Sequence, residues 1–175
     1  TTSRDGDTSQ FASNAHTQIT HALFSPHEDD VVSAVCVGGV FRTYRVNETT
    51  IKLLSATPLN ELVKDVGREV AAHAWLHNDD KHVAVGTSTG EVLILEQGAI
   101  VCVLNFARQG ASSDEGCASR AVGCVRAYKN GFIVGDARGR VSIVERCARK
   151  RTNDSGVLYK CVKTLIAREL KDIDA

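Results

Sequence analysis

HVAVGTSTGEVLILEQ, residues 82–97, decides the fold. It reads as a strand, a turn ending on Gly90, and a second strand in which every residue from Val92 to Leu95 is apolar. Successive side chains of a strand point to opposite faces of its sheet. Val92 and Ile94 therefore share one face, and Leu93 and Leu95 the other. A sheet with one face in water carries polar residues there; apolar residues on both faces call for cover on both. The pattern occurs twice more, as VVSAVCVGGVFRTYRV at 31–46 and GFIVGDARGRVSIVER at 131–146. Aligned on their turns, Gly39, Gly90 and Gly139 recur at spacings of 51 and 49. A tight hairpin needs positive φ, which glycine adopts without a Cβ clash, so these three are assigned as structural hairpin turns.

Working outward, a strand precedes each hairpin. His21-Ala22-Leu23 matches His73-Ala74-Trp75 at a spacing of 52, and Ala121 to Ala127 takes this place in the third unit. A further strand follows each hairpin: Thr50 to Ser55, Ile100 to Phe106, and Val157 to Ile166. Short runs of Val, Ile, Thr and aromatic residues between Gly, Asn and Asp are strand-and-turn signals. Four strands in a period of about 40–50 residues mark a propeller blade. The expected fold is all-β: a WD40-like β-propeller segment over 18–175, behind a polar and flexible leader at 1–17. It should hold about three four-stranded antiparallel blades, at about 19–56, 70–107 and 121–167. Leu59, Leu62, Val63 and Val66, spaced i, i+3, i+4, i+7, predict a short amphipathic turn or helix within Thr57 to Arg68. Arg108 to Arg120 and Ala148 to Gly156 read as polar loops. Three blades cannot close a ring that takes roughly four to eight. The chain is thus expected to be a partial propeller, completed by the rest of its own propeller or by something else that covers its open edges. It starts on Thr1 and not on methionine, so its natural start is expected upstream.

Bulk properties exclude several classes. A content of 43% hydrophobic and 24% charged residues is that of a soluble globular domain. The apolar runs fall well short of the ~20 residues of a membrane helix, so no membrane partner is expected. Net charge is zero, but residues 1–100 carry 7 basic and 13 acidic side chains, and residues 101–175 carry 14 and 8. Such polarity can orient a protein in an assembly; it does not make the strongly basic domain of a nucleic-acid binder. The six cysteines include no CxxC pair, and Cys36 and Cys102 sit between valines. Free, buried thiols of a reducing cytosol are expected.

Candidate sites are few. Gly86-Thr87-Ser88-Thr89-Gly90 and Gly135-Asp136-Ala137-Arg138-Gly139 superficially resemble phosphate loops. They lack the Lys-Ser/Thr pair and lead into strands, so they read as hairpin turns. His73, His77 and His82 lie near Asp79 and Asp80. A metal site is conceivable, but zinc ligands usually show tighter, repeated spacing, and ordinary rim or turn histidines are the better reading. No nucleophile elbow frames a Ser/His/Asp triad. Neither catalytic residue, cofactor nor metal ligand is therefore assigned. Arg146, Arg149, Lys150 and Arg151 form a basic cluster; it is either a solvated loop or a partner-binding loop for an acidic surface such as tubulin tails. Trp75, the one tryptophan, reads as core packing. The Gly-His and Trp-Asp dipeptides of ordinary WD40 blades are missing, so blades without the usual polar network are expected.

The order of motifs resembles the WD-repeat proteins of ciliary axonemes. The matching stretches are ITHALFSPHEDDVVSAVCVGGVFRTYRV, then AAHAWL with KHVAVGTSTGEVLILEQG, then AYKNGFIVGDARGRVSIVER, spanning roughly residues 19–146. The resemblance implies a non-enzymatic scaffold that anchors or regulates inner dynein arms on doublet microtubules. Implied partners are inner-arm, dynein-tether and regulatory-complex components; the implied location is the cytoplasm, in the axonemal cytoskeleton of the cilium or flagellum. The repeat alone supports an alternative: a generic cytosolic WD40-like adaptor of another complex.

Overall fold

The computed structural model describes residues 18–59, 69–77, 81–106, 121–147 and 158–166. Their strands, in chain order, are β1 (Ile19–Phe24), β2 (Val31–Cys36), β3 (Val40–Val46) and β4 (Ile51–Pro58); β5 (Val70–Trp75), β6 (Val83–Thr87), β7 (Glu91–Glu96) and β8 (Ala99–Asn105); and β9 (Val122–Tyr128), β10 (Gly131–Asp136), β11 (Arg140–Arg146) and β12 (Tyr159–Ile166). Each group of four forms its own antiparallel meander, with strands neighbouring in sequence order. These are three propeller blades, here called blades one, two and three.

Blade two lies between the others, as the apolar run of β7 requires. Leu93 and Leu95 join Val83, Val85, Val35, Phe41 and Leu59 in a core shared with blade one. Val92 and Ile94 join Ala74, Leu76, Ala84, Val125, Phe132, Val134 and Val144 in a core shared with blade three. All four β7 side chains are essentially fully buried. Below, the leading face of a blade is the one turned toward the preceding blade, and the trailing face the one turned toward the next.

The repeat extends to the irregularities of the ladders. The pairing between the third and fourth strands shifts between Thr43 and Tyr44, Ile94 and Leu95, and Ile143 and Val144. These positions carry the same 51 and 49 spacings as the glycines. A bulge repeated at one place increases local twist in the same way in each blade. Gly39, Gly90 and Gly139 have φ of +74°, +84° and +72°.

Two expectations are corrected. Thr57 and Pro58 do not enter a helix; they extend β4, opposite Phe41 and Val40. Leu59 follows, fully buried in the core between blades one and two; Thr57 and Pro58 are strand because their backbone pairs with β3. The other three, Leu62, Val63 and Val66, lie outside the described residues, as do 1–17 and most of both polar loops. Among the described cysteines, only Cys36 is buried; Cys102, Cys147 and Cys161 are partly exposed and Cys124 is exposed. The thiols are free but not uniformly buried, because Cys124 lies on an inner strand facing open space.

Candidate functional site

Four of the buried polar side chains, Ser33, Thr57, His73 and His82, reach across the two junctions between blades. At the first, Ser33 of β2 is fully buried and faces β5. Its hydroxyl donates to the Leu23 carbonyl at 3.1 Å. That uses its only proton, so the two nitrogens nearby must donate to it: His73 Nε2–H at 2.9 Å and Trp75 Nε1–H at 2.9 Å. The hydroxyl is thereby satisfied in full by two donors from the next blade. Phe41 meets the His73 ring edge-on at 5.7 Å between centroids. His27 of blade one donates from Nε2 to the Leu76 carbonyl of blade two at 2.8 Å.

The same fixed tautomer leaves His73 Nδ1 as a buried acceptor with no partner. Burial, together with the nearby His21, pushes the His73 pKa down to about 4. The imidazole is therefore neutral near pH 7 and acts as a structural donor. The expected rim or turn role is overturned for His73 and for His82, both of which are buried. At the second junction, His82 Nδ1 and the Tyr159 hydroxyl of blade three are 2.8 Å apart, and Tyr159 packs on Phe132. His73 and His82 thus serve different junctions and do not converge; among the described residues, no group of three or more His, Cys, Asp or Glu could hold a metal ion. Asp79 and Asp80 lie outside the described residues.

The blade alignment explains why the Ser33 site of the first junction has no counterpart at the second. Ser33 stands six residues before its turn glycine, as Ala84 does before Gly90. His73 and Trp75 pair with Val85 and Val83, the places that Val125 and Ala127 take opposite Val134 and Phe132. The trio Ser33–His73–Trp75 is thus replaced by Ala84–Val125–Ala127, which belongs to the apolar core. The expectation of blades with no polar network therefore fails at the first junction. Nothing in the sequence links these three residues, because 40 positions separate Ser33 from His73 and a serine within an apolar run reads as a tolerated core residue. The partly buried Trp75 packs against the core as read and is also a hydrogen-bond donor.

A cleft of about 300 Å3 opens at the rim of the first junction, lined by Phe41, Ser55, Trp75, Leu95 and Gln97. Its lip is charged: Glu28 pairs with Lys81 of blade two at 2.7 Å and with Arg45 at 2.8 Å. The Lys81 ammonium first, with Arg45 behind it, holds the Glu28 carboxyl below its usual range. The β7–β8 turn leans on blade one here: Thr57 donates to the Gly98 carbonyl at 2.5 Å. On the inner strands, His21, His73, Cys124 and Arg126 line a cleft of about 250 Å3. With His73 Nε2 committed to Ser33, Cys124 has no basic partner in hydrogen-bond contact among the described residues. Arg146 borders a third, polar cleft with Lys129, Asn130 and Tyr159. Arg149, Lys150 and Arg151 lie outside the described residues, so the structure places only one member of the basic cluster.

No protein-family model matches the chain, and no curated protein matches it. Solved structures do. The β-propeller domain of Cps50 (Swd1) from Myceliophteria thermophila aligns over 86% of this chain with a TM-score of 0.65 and 13% identity. Hsv2 from Kluyvelomyces marxianus aligns over 86% with a TM-score of 0.60 and 10% identity. The C-terminal WD40 domain of Sif2 aligns over 72% with a TM-score of 0.56 and 19% identity. The fold is that of a WD40-type β-propeller, and the chain spans 46%, 46% and 33% of those three structures. It is an arc of such a propeller.

Proposed function

We propose that this arc belongs to a non-enzymatic WD40-repeat scaffold of the ciliary or flagellar axoneme, one that anchors or regulates inner dynein arms on doublet microtubules. The observation that carries the scaffold reading is the use of the buried polar groups. Ser33, His73 and Trp75 hold one blade on the next, and His73 is neutral with its donor nitrogen engaged. Groups spent in this way supply rigidity and leave the rims and inner strands as recognition surface. The axonemal assignment is supported by the motif order alone, which resembles cilia- and flagella-associated protein 57 over residues 19–146. Its partners would be other axonemal proteins and the rest of its own propeller. The basic cluster of Arg146, Arg149, Lys150 and Arg151 suits an acidic partner such as tubulin tails.

The test is localisation of the tagged protein in a ciliated cell, with proximity labelling. Axonemal signal and labelled inner-arm dynein components are expected. A cytosolic signal without dynein neighbours would replace this reading with the generic cytosolic adaptor, which the 10–19% identity to propellers such as Swd1, Hsv2 and Sif2 supports equally well.

A further inference from the structure

We propose that the cleft between blades one and two is a receptor for a phenylalanine side chain presented by a partner polypeptide, seated where the chain's own Tyr159 sits at the second junction. The site follows from blade geometry and does not depend on the axonemal reading.

The two junctions share one plan and differ at one place. Glu96 pairs with Ala99 across the last hairpin of blade two, and the corresponding Glu145 pairs with Lys160 in blade three. The residues just before these partners are therefore equivalent: Gly98 in blade two and Tyr159 in blade three. Their contacts with the preceding blade agree. Gly98 lies against Ser55 of blade one. The backbone of Leu158 and Tyr159 lies against Cys102 of blade two, hydrogen-bonded to its sulfur. Cys102 stands opposite Ile94 as Ser55 stands opposite Thr43.

At the second junction the Tyr159 ring fills the space between the blades. It is fully buried, its centroid 5.6 Å from that of Phe132 and 5.8 Å from that of His82. Its hydroxyl is 2.8 Å from His82 Nδ1. At the first junction Gly98 brings no ring, and the cleft of about 300 Å3 stands in that place. Its lining includes Gly98 together with Val31 and Val83, the equivalents of His82 and Phe132. Gly98 is barred from carrying a side chain of its own: its φ is +87°, and a Cβ would come within 2.9 Å of Ser55. The cleft is continuous with the core that joins the two blades, because Phe41 and Leu95 belong to both.

The walls select the occupant. Val31, Phe41, Trp75, Val83 and Leu95 make the floor apolar and partly aromatic. Val31 replaces the histidine that bonds the Tyr159 hydroxyl, and the Thr43 and Ser55 hydroxyls are engaged with each other at 2.6 Å. A phenyl ring therefore fits where a phenol would leave its hydroxyl unpaired. Charge at the lip is balanced. The carboxylates of Glu28 and Asp30 pair with Arg45 and Lys81 at 2.7 to 2.9 Å. The matching segment is uncharged beside its anchor, since any added charge would meet its like as well as its opposite. An aromatic side chain buried in a pocket of this size, at the low end of the roughly 300–1,000 Å3 of ligand sites, is how protein interfaces concentrate their affinity.

Trp75 is the only tryptophan of the 175 residues and lines the cleft, so its emission reports occupancy. The experiment titrates the chain with capped Gly-Phe-Gly, Gly-Ala-Gly and Gly-Glu-Gly peptides, with circular dichroism as a check on the fold. The phenylalanine peptide is expected to shift the emission saturably to shorter wavelength, as its ring displaces water from beside the indole. The alanine and glutamate peptides are expected to give no saturable shift. Leu54→Glu, at a 44% exposed position on the cleft wall, is expected to weaken the phenylalanine peptide by about tenfold or more. If Leu54→Glu loses its fold, Gln97→Glu at the exposed turn position takes its place. No saturable shift with the phenylalanine peptide, an equal response to either other peptide, or an unchanged affinity in the variant overturns the proposal. Localisation in cells has no bearing on these outcomes, so the axonemal reading stands or falls separately.

Discussion

The Trp75 indole donates its N–H across the first blade junction to the hydroxyl of Ser33 at 2.9 Å, beside His73, which donates to the same oxygen at 2.9 Å. One serine therefore satisfies two donors that would otherwise face a mostly apolar core. Ser33→Ala should cost about 1–3 kcal/mol, because the buried His73 donor is left without an acceptor. Ser33→Ala combined with His73→Val copies two of the three apolar residues of the second junction. It should recover part of that loss, since removing both partners is cheaper than orphaning one. Urea unfolding of the two single variants and the double variant reads this directly. Additive losses would mean that the hydrogen bond contributes nothing.

The same contact makes stability depend on pH. His73 has its pKa lowered to about 4 in the folded chain from an ordinary 6.5. The unfolded chain binds the proton first as pH falls, so the stabilisation present above 6.5 is lost progressively between pH 6.5 and about 4. The full effect of a shift that size is on the order of 3 kcal/mol. Thermal midpoints measured across this window should fall more steeply for the wild type than for His73→Val. Parallel curves for the two proteins would refute the assignment.

Gly86 of β6 lies directly under Val122 of β9, at the junction of blades two and three. A Cβ added there would meet both Val122 and Val125, the latter at 3.1 Å. Gly86→Ala should destabilise by about 1–3 kcal/mol through overpacking. The obstructing atoms belong to side chains, so Val122→Ala in the same chain should make room and restore part of the stability. A double-mutant cycle over the two sites measures this coupling, and a coupling of zero would show that the approach is looser than it stands here.

The architecture was legible in the sequence wherever one element carried a pattern of its own. β7 announces cover on both faces through four consecutive apolar residues, and that cover is found. The turn glycines fix the repeat because positive φ constrains residue type locally. What was not legible depends on which residues meet across blades. Ser33, His73 and Trp75 come together only after two sheets pack, and no local signal ties them. That Thr57 and Pro58 belong to β4 was not legible for a related reason: it depends on their pairing with β3, which no local spacing signals.

Leu93 and Ile94 are neighbours on β7 that face different blades, and this separates the roles of the two cores. Each is fully buried, so Leu93→Ala and Ile94→Ala should each cost about 2–5 kcal/mol. In an array where each repeat touches only its neighbours, damage at one interface first loosens the repeat beyond it. Leu93→Ala removes apolar contact with Val35 and Phe41, so amide exchange should rise in β1 to β4 while β9 to β12 keep most of their protection. Ile94→Ala should do the reverse, releasing β9 to β12. Native-state hydrogen exchange on the two variants distinguishes this from a single cooperative unit, in which either substitution would lower protection in all three blades alike.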